Sequence, residues 1–308
     1  MHGKIGDRLN HVARLPHPIP YQGSKRLLAE RILSVVADQK FDVLYEPFVG
    51  SGAIAIAGAA RGIADRYELS DTLAPLVEIW RAIIDHPAEL AHGYEEIWQA
   101  QFDSLDHFND VRAEFNARHD PAKLLYLLAR CVKNAPRFNG DGEFNQSPDK
   151  RRHGMRPAKM RREIEGVSAL LRGQTCASIT PFERALGSAT SSDLVYLDPP
   201  WEGTSTGRDK RYHEGLDRDR LIDALNDLNQ RGVPFLLSYD GRHGDKTYGE
   251  PLPESLRALR LELPAGRSSQ ATLLGRSEET VESLYVSEGL ADLGALEPAQ
   301  LDLFASAG

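Results

Sequence analysis

The chain has 308 residues, of which 41% are hydrophobic and 27% charged, with a formal net charge of −8. That balance belongs to an ordinary globular protein, long enough to bury a full core as one large domain or one domain with an insert. No run of about 18 apolar residues is present, residues 1–20 lack a signal-peptide core, and Cys131 and Cys176 form no C-x-x-C pair, so a reducing, cytoplasmic location with no membrane partner is expected.

In chain order, residues 25–37 predict an amphipathic helix with Leu27, Leu28, Ile32, Val35 and Val36 on one face and Ser24 as its N-cap. A short buried strand over 42–45 runs into Glu46-Pro47-Phe48-Val49-Gly50-Ser51-Gly52, then into an Ala/Ile-rich helix stopped near Gly62. A second strand over 66–69 ends at Ser70-Asp71. Helical patterns fill 73–86 and 94–132, a loop and basic stretch follow over 134–162, and another helix covers 158–171. A strand over 194–197 meets Asp198-Pro199-Pro200-Trp201. Residues 202–215 read as a mobile surface loop. Asp217 caps a helix carrying Leu221, Ile222, Leu225 and Leu228, which Gly232 stops. A buried strand covers 233–238. Alternation at Leu259, Leu261 and Leu263, and over 280–286, predicts an antiparallel end to the sheet. Residues 289–308 read as a tail or a loosely docked helix. Strands alternating with helices imply a doubly wound, mostly parallel α/β sheet, interrupted by a mainly helical insert. The expected domains are 1–96 with 173–308, and the insert 97–172.

The turn at Asp198 carries the most specific chemistry. An aryl amine is a weak nucleophile because its lone pair is delocalised into the ring. A carboxylate and a rigid proline carbonyl can accept both of its N–H bonds and sharpen that lone pair. The indole of Trp201 offers a face on which a planar base can stack. Gly50-Ser51-Gly52 sits at a strand end and opens a helix, and Asp71 stands at the next strand end, where an acid can accept ribose hydroxyls. Position 55 is Ala, so the dinucleotide pattern G-x-G-x-x-G fails. A nucleoside cofactor without a pyrophosphate, such as S-adenosylmethionine, suits this turn better than a nicotinamide.

The acidic chain also holds a basic cluster: Lys150, Arg151, Arg152, Arg156, Lys159, Arg161 and Arg162. It follows a loop rich in aromatics and amides, 137–146. Aromatics, amides and guanidiniums are the groups that stack on bases, read base edges and hold phosphates. The histidines show no ligand spacing, and no metal is expected.

Taken together, these residues resemble the Dam-like (alpha group) adenine-N6 DNA methyltransferases, from about Pro18 to Val286. Pro20-Tyr21-Gln22-Gly23-Ser24-Lys25 is similar to that group's N-terminal cofactor segment. Tyr45-Glu46-Pro47-Phe48-Val49-Gly50-Ser51-Gly52 is similar to its E-P-F-x-G-x-G loop, and Leu69-Ser70-Asp71 to its ribose-binding segment. Arg137-Phe138-Asn139 with Gly142-Glu143-Phe144-Asn145 is similar to the signature of its target-recognition insert. Asp198-Pro199-Pro200-Trp201 is similar to its catalytic D-P-P-[YFW], and 236–240 to a later strand. The resemblance implies a S-adenosylmethionine-dependent methyltransferase sheet with a DNA-recognition insert. It implies a cofactor pocket of Tyr21, Lys25, Glu46, Pro47, Phe48, Gly50, Gly52, Asp71 and Asp198. Phe182 joins them where the family has an Asp-Phe pair and this chain has Pro181-Phe182. It implies catalysis by Asp198, Pro199, Pro200 and Trp201, with Trp201 stacked on a flipped adenine. The DNA contacts expected are Arg137, Asn139, Asn145, Lys150, Arg151, Arg152 and Arg156. The partner expected is duplex DNA, bound by a monomer in the nucleoid, with any cognate restriction endonuclease acting separately. Residues 146–152 do not match members that read GATC, so the target sequence is open. The motif chemistry also allows amino methylation of cytosine, RNA adenine or protein glutamine, or an inactive DNA-binding relative.

Overall fold

The computed structural model describes residues 14–37, 39–200, 217–243, 246–267 and 279–292. Its centre is an eight-stranded sheet of β1 (Phe41–Glu46), β2 (Ala64–Asp71), β3 (Thr175–Ile179), β4 (Leu194–Leu197), β5 (Phe235–His243), β6 (Lys246–Tyr248), β7 (Ala258–Arg267) and β8 (Glu279–Ser287). The order is β3-β2-β1-β4-β5-β8-β7, with β6 paired to β5. The first five strands of that order run parallel, and β8 and β7 run antiparallel. The strand order reverses beside β1, where such sheets bind their ligands.

Helices cover both faces. They are α1 (Ala29–Ser34), α2 (Ala53–Arg61), α3 (Ala74–Asp85), α4 (Pro87–Ala100), α5 (His107–Arg118), α6 (Pro121–Arg130), α7 (Pro157–Leu171), α8 (Phe182–Leu186), α9 (Arg218–Gln230) and α10 (Glu288–Asp292). One core joins Ile54, Trp80, Tyr94, Phe115, Leu127 and Ile164; on the other face Val195, Leu197, Leu221, Leu225 and Phe235 pack together. Asp217 accepts from the backbone N–H groups of Asp219 and Arg220, the N-cap expected from sequence. Asp120 does the same for α6, ahead of Pro121. Gly62 closes α2 with φ 66°, a left-handed C-cap that glycine adopts without strain.

Several sequence expectations need correction. Residues 25–37 are not one helix. A 3-10 turn, Lys25–Leu27, precedes α1, and Leu27 is 80% exposed. Ser24 does not cap it; its hydroxyl instead lies 2.7 Å from that of Ser51. The helical stretch 94–132 is three helices. The break before α6 falls at His119, a left-handed residue with φ 54°, followed by the capping Asp120. Strand β3 was missed because Thr175-Cys176-Ala177-Ser178-Ile179 is an edge strand with little apolar character, and only Ala177 is buried. Leu259 does not share the burial of Leu261 and Leu263; it is 39% exposed. The expected boundary at 97 falls inside α4, whereas that at 172 coincides with the end of α7. α7 packs against α2 and α3 as well as α4, and α6 packs against α3. The loop 202–215 and the tail beyond 292 lie outside the described residues.

Candidate active site

The parallel strands deliver their last residues to one edge. Glu46 ends β1 and Asp71 ends β2, while Asp198 immediately follows β4. Between Glu46 and α2 the chain turns through Gly50 (φ 45°) and Gly52 (φ 60°). A Cβ at Gly52 would run into the ring of Trp80, whose indole N–H donates to the Gly50 carbonyl at 3.1 Å. The Tyr21 ring lies over Gly50, 3.6 Å from where a Cβ would stand. The turn is thus bare backbone backed by an indole, the setting in which glycine is required. No side chain of the N-cap residue closes α2. The Glu46 carboxylate reaches across the turn and accepts from the Ala55 N–H at 2.8 Å. Burial dominates its ionisation and pushes its pKa to about 8, against the pull of the Ala55 and Ile54 amides.

Asp71 is 5% exposed, and its Oδ1 accepts from the Leu73 N–H at 2.9 Å as the chain enters α3. Burial raises its pKa to about 6, opposed by amide bonds from Leu73, Gly50 and Thr72. Opposite, the rings of Phe48 and Phe182 pack at 5.2 Å, tilted by 31°. Pro47 is buried beside them.

Lys25 brings the N-terminal segment to the same edge. Its Nζ lies 2.8 Å from Asp198 Oδ1 and 3.3 Å from Glu282 Oε2, with the Lys25 side chain only 7% exposed. Burial works against the ammonium, but the two carboxylates outweigh it and hold the Lys25 pKa above its ordinary value. Burial raises Asp198 to about 6; Lys25 pulls it down and Glu282 pushes it up. Below Asp198, the Tyr196 hydroxyl lies 3.0 Å from that of Ser238.

The expected residues Tyr21, Lys25, Glu46, Pro47, Phe48, Gly50, Gly52, Asp71, Phe182 and Asp198 therefore gather at the carboxyl edge of the sheet. Pro199 and Pro200 follow Asp198 there, and Trp201 lies outside the described residues. Glu282 was not expected. Its signal is alternation: it lies on the same face of β8 as Leu284 and Val286, both fully buried, where an acid demands a partner.

Residues 137–146 fold as a tight hairpin. Phe138 bridges Phe144, their rings 5.6 Å apart edge to face, and Phe144 also meets Phe115. Both rings are therefore core. Asn139 is turned inward on its own loop, accepting from the Asp141 and Glu143 amides and donating to the Glu143 carboxylate. Asn145 is exposed, and its backbone N–H donates to the Arg137 carbonyl. The basic run has an acid at its head. Asp149, 6% exposed, accepts from Arg151 and Arg152 at 3.0–3.1 Å, and Arg152 also reaches the Cys131 carbonyl and the Asn134 side chain. Those contacts hold the Asp149 carboxyl well below the usual range. Lys150 and Arg156 are exposed. Arg156 lines a cleft of about 570 Å³ with Arg152, His153, Phe102, Trp98 and Pro20. Among the described residues no cluster of three metal-binding side chains occurs, and no helix is long and apolar enough to cross a membrane.

A mostly parallel sheet with an antiparallel end, a glycine turn after β1, acids ending β1 and β2, and Asp-Pro-Pro after β4 define an α/β methyltransferase. Comparison with known proteins narrows the class. Residues 21–287 match the D12 class N6 adenine-specific DNA methyltransferases, and the chain belongs to that family. It is 24% identical over 278 residues to a type II methyltransferase, M1.LlaDCHI, of Lactococcus lactis subsp. cremoris, an alignment covering 86% of this chain and 94% of that protein. It is 24% identical over 212 residues to a DNA adenine methylase of Salmonella typhi, covering 65% and 72%. It is 26% identical over 235 residues to the type II methyltransferase M.FokI of Planomicrobium okeanokoites, where it covers 72% of this chain and spans about a third (35%) of the relative.

Proposed function

We propose that this chain transfers a methyl group from S-adenosylmethionine to the N6 amino group of an adenine extruded from a specific duplex DNA sequence, by direct displacement. The observation that carries the reading is the placement of Asp198: a half-buried carboxylate just after β4, with the glycine turn at the end of the adjacent β1 and Asp71 at the end of β2 one strand further on. Donor and acceptor thus have adjacent, separate seats.

The residues present fit the donor. The Gly50–Gly52 turn presents backbone in place of bulky side chains, Asp71 suits ribose hydroxyls, and Phe48 with Phe182 offers an apolar wall to an adenine ring. When bound, S-adenosylmethionine supplies a methyl group on a sulfonium, already electrophilic. Asp198 accepts one amino N–H of the target base, and a carbonyl of the rigid proline pair accepts the other. Trp201 supports the ring by stacking. The protein's work is positioning and orientation of the amine. Base extrusion costs a few kcal/mol, roughly, and stacking on an aromatic returns about 1–3 kcal/mol.

We assign target recognition to residues 97–172, with the 137–146 hairpin presenting Arg137 and Asn145, and Lys150, Arg151, Arg152 and Arg156 holding phosphates. The enzyme acts as a monomer, and any restriction endonuclease is a separate chain. The decisive experiment incubates the protein and labelled S-adenosylmethionine with DNA from a methylase-deficient host, with RNA and with protein, followed by mass analysis and methylation-sensitive sequencing. N6-methyladenine in DNA at one sequence is expected. Asp198→Ala should lose at least about 10²-fold in transfer while binding S-adenosylmethionine within a few-fold by calorimetry. A fully active alanine variant would overturn the assignment.

A further inference from the structure

Glu282 shares the Lys25 ammonium with Asp198. β8 is antiparallel to β5, and Glu282 pairs with Gly241 at the carboxyl end of β5. The reversal of direction is what carries an early residue of β8 to the edge where the parallel strands end. Glu282 is 16% exposed in its side chain and lies 3.3 Å from Lys25 Nζ, while Asp198 lies 2.8 Å from the same nitrogen on Oδ1. Among the described residues, two carboxylates therefore face one ammonium.

A neighbouring network fixes β8 in place. Asp240 of β5, 1% exposed, accepts hydrogen bonds from Ser283 and Tyr285 of β8 and from Arg260 of β7. The Tyr285 hydroxyl also accepts from the Leu252 N–H. Glu282 stands next to Ser283, so its carboxylate is presented on a braced strand.

We propose that Glu282 is a positioning residue for the transfer: it takes up the Lys25 ammonium so that Asp198 is free to accept the amino group of the target base. With Glu282 present, Lys25 has a second anion to lean on when the base arrives. Without it, Asp198 is the one carboxylate among the described residues left on Lys25, which also donates to the Gly23 carbonyl at 3.4 Å, and the tighter-held carboxylate becomes a poorer acceptor. The inference rests on the reading of Asp198 as the amine acceptor.

The groups facing Asp198 are Lys25 from the 3-10 turn, Glu282 from β8, Glu46 from β1 and the Tyr196 hydroxyl from its own strand. Loss of the Glu282 charge removes a repulsion from Asp198 and strengthens its pairing with Lys25. Both effects favour the carboxylate, so the sign is a downward shift.

The test is Glu282→Gln, which keeps the shape and removes the charge, compared with Glu282→Asp, which keeps the charge. Methylation of DNA from a methylase-deficient host is followed across pH 4.5–9 (about that range), together with carbon-13 NMR titration of labelled aspartate carboxyls, the Asp198 signal assigned by Asp198→Asn. For Glu282→Gln, kcat should fall about 10–100-fold with KM for S-adenosylmethionine nearly unchanged. The acid limb of its profile and the Asp198 titration should both move down by about one pH unit. Glu282→Asp should keep the wild-type acid limb. An unmoved Asp198 titration in Glu282→Gln, or unfolding of both variants by circular dichroism, overturns the inference and leaves Glu282 a structural residue. A wild-type control that makes no N6-methyladenine, or an active Asp198→Ala, sinks the functional reading itself and the inference with it.

Discussion

Lys25, from the segment ahead of the sheet, closes on Asp198 at 2.8 Å, so the carboxylate proposed to accept the amine is bound to a different part of the chain from the strand that bears it. Burial raises the Asp198 pKa to about 6 even with Lys25 pulling it down, so Lys25 is the group that favours the charge on Asp198 against burial. A carboxylate with a raised pKa is lost as pH falls through that value. Lys25→Met should therefore move the acid limb of kcat/KM upward from about pH 6, with at least about a tenfold loss of activity at pH 6. A pH profile measured with saturating DNA checks the direction.

Glu46 gives a stability prediction of defined sign. Its pKa is about 8 in the folded chain against 4.5 for the free carboxyl. Between those values the folded state holds a proton that the unfolded state has released. Stability is therefore greatest at the acid end of this window and declines as pH rises through it, by up to about 1.4 kcal/mol per unit. Glu46→Gln, which can still accept from Ala55, should flatten that decline and gain on the order of 3 kcal/mol over wild type near pH 8. Urea denaturation at pH 5 and pH 8 reads the difference.

Gly52→Ala should cost about 2–4 kcal/mol, combining left-handed strain with overpacking against Trp80. Chemical denaturation measures the loss. Calorimetry with S-adenosylmethionine should show weakened binding as the turn shifts. Gly62→Ala, equally left-handed but facing open space, should cost only about 1 kcal/mol and leave binding intact.

Within the basic run, position decides the outcome. Arg156→Glu should weaken binding to all DNA sequences and reduce the slope of log K against log salt by about 0.9 or more, with stability unchanged. Arg152→Ala removes one of the two arginines on Asp149, together with the bonds of Arg152 to the Cys131 carbonyl and Asn134, and should lower the melting temperature. Both variants should lower the salt slope, and thermal melts separate the two, since only Arg152→Ala loses stability.

Much of the active edge was legible because its motifs are local: strand, then special turn. β4 falls on the residues that the apolar run marks, and Asp217 caps as its chemistry dictates. Three things were not local. Lys25 lay in a segment whose apolar spacing suggested one helix, yet its ion pairs and the Ser24–Ser51 contact fix a 3-10 turn there. Glu282 becomes part of the site only through the antiparallel return of β8. The charge of 150–162 looked uniform because pattern alone does not show Asp149 folding back on Arg151 and Arg152.

The packing of α7 onto α2 and α3 has a practical corollary for engineering. Exchanging residues 97–172 as a cassette between relatives would expose one half of a shared interior and mismatch the other. The 137–146 hairpin is anchored chiefly by Phe138, Phe144 and Asn116. If the hairpin sets target choice as proposed, grafting that short loop with its anchors kept should change the target preference and leave the carboxyl edge of the sheet intact.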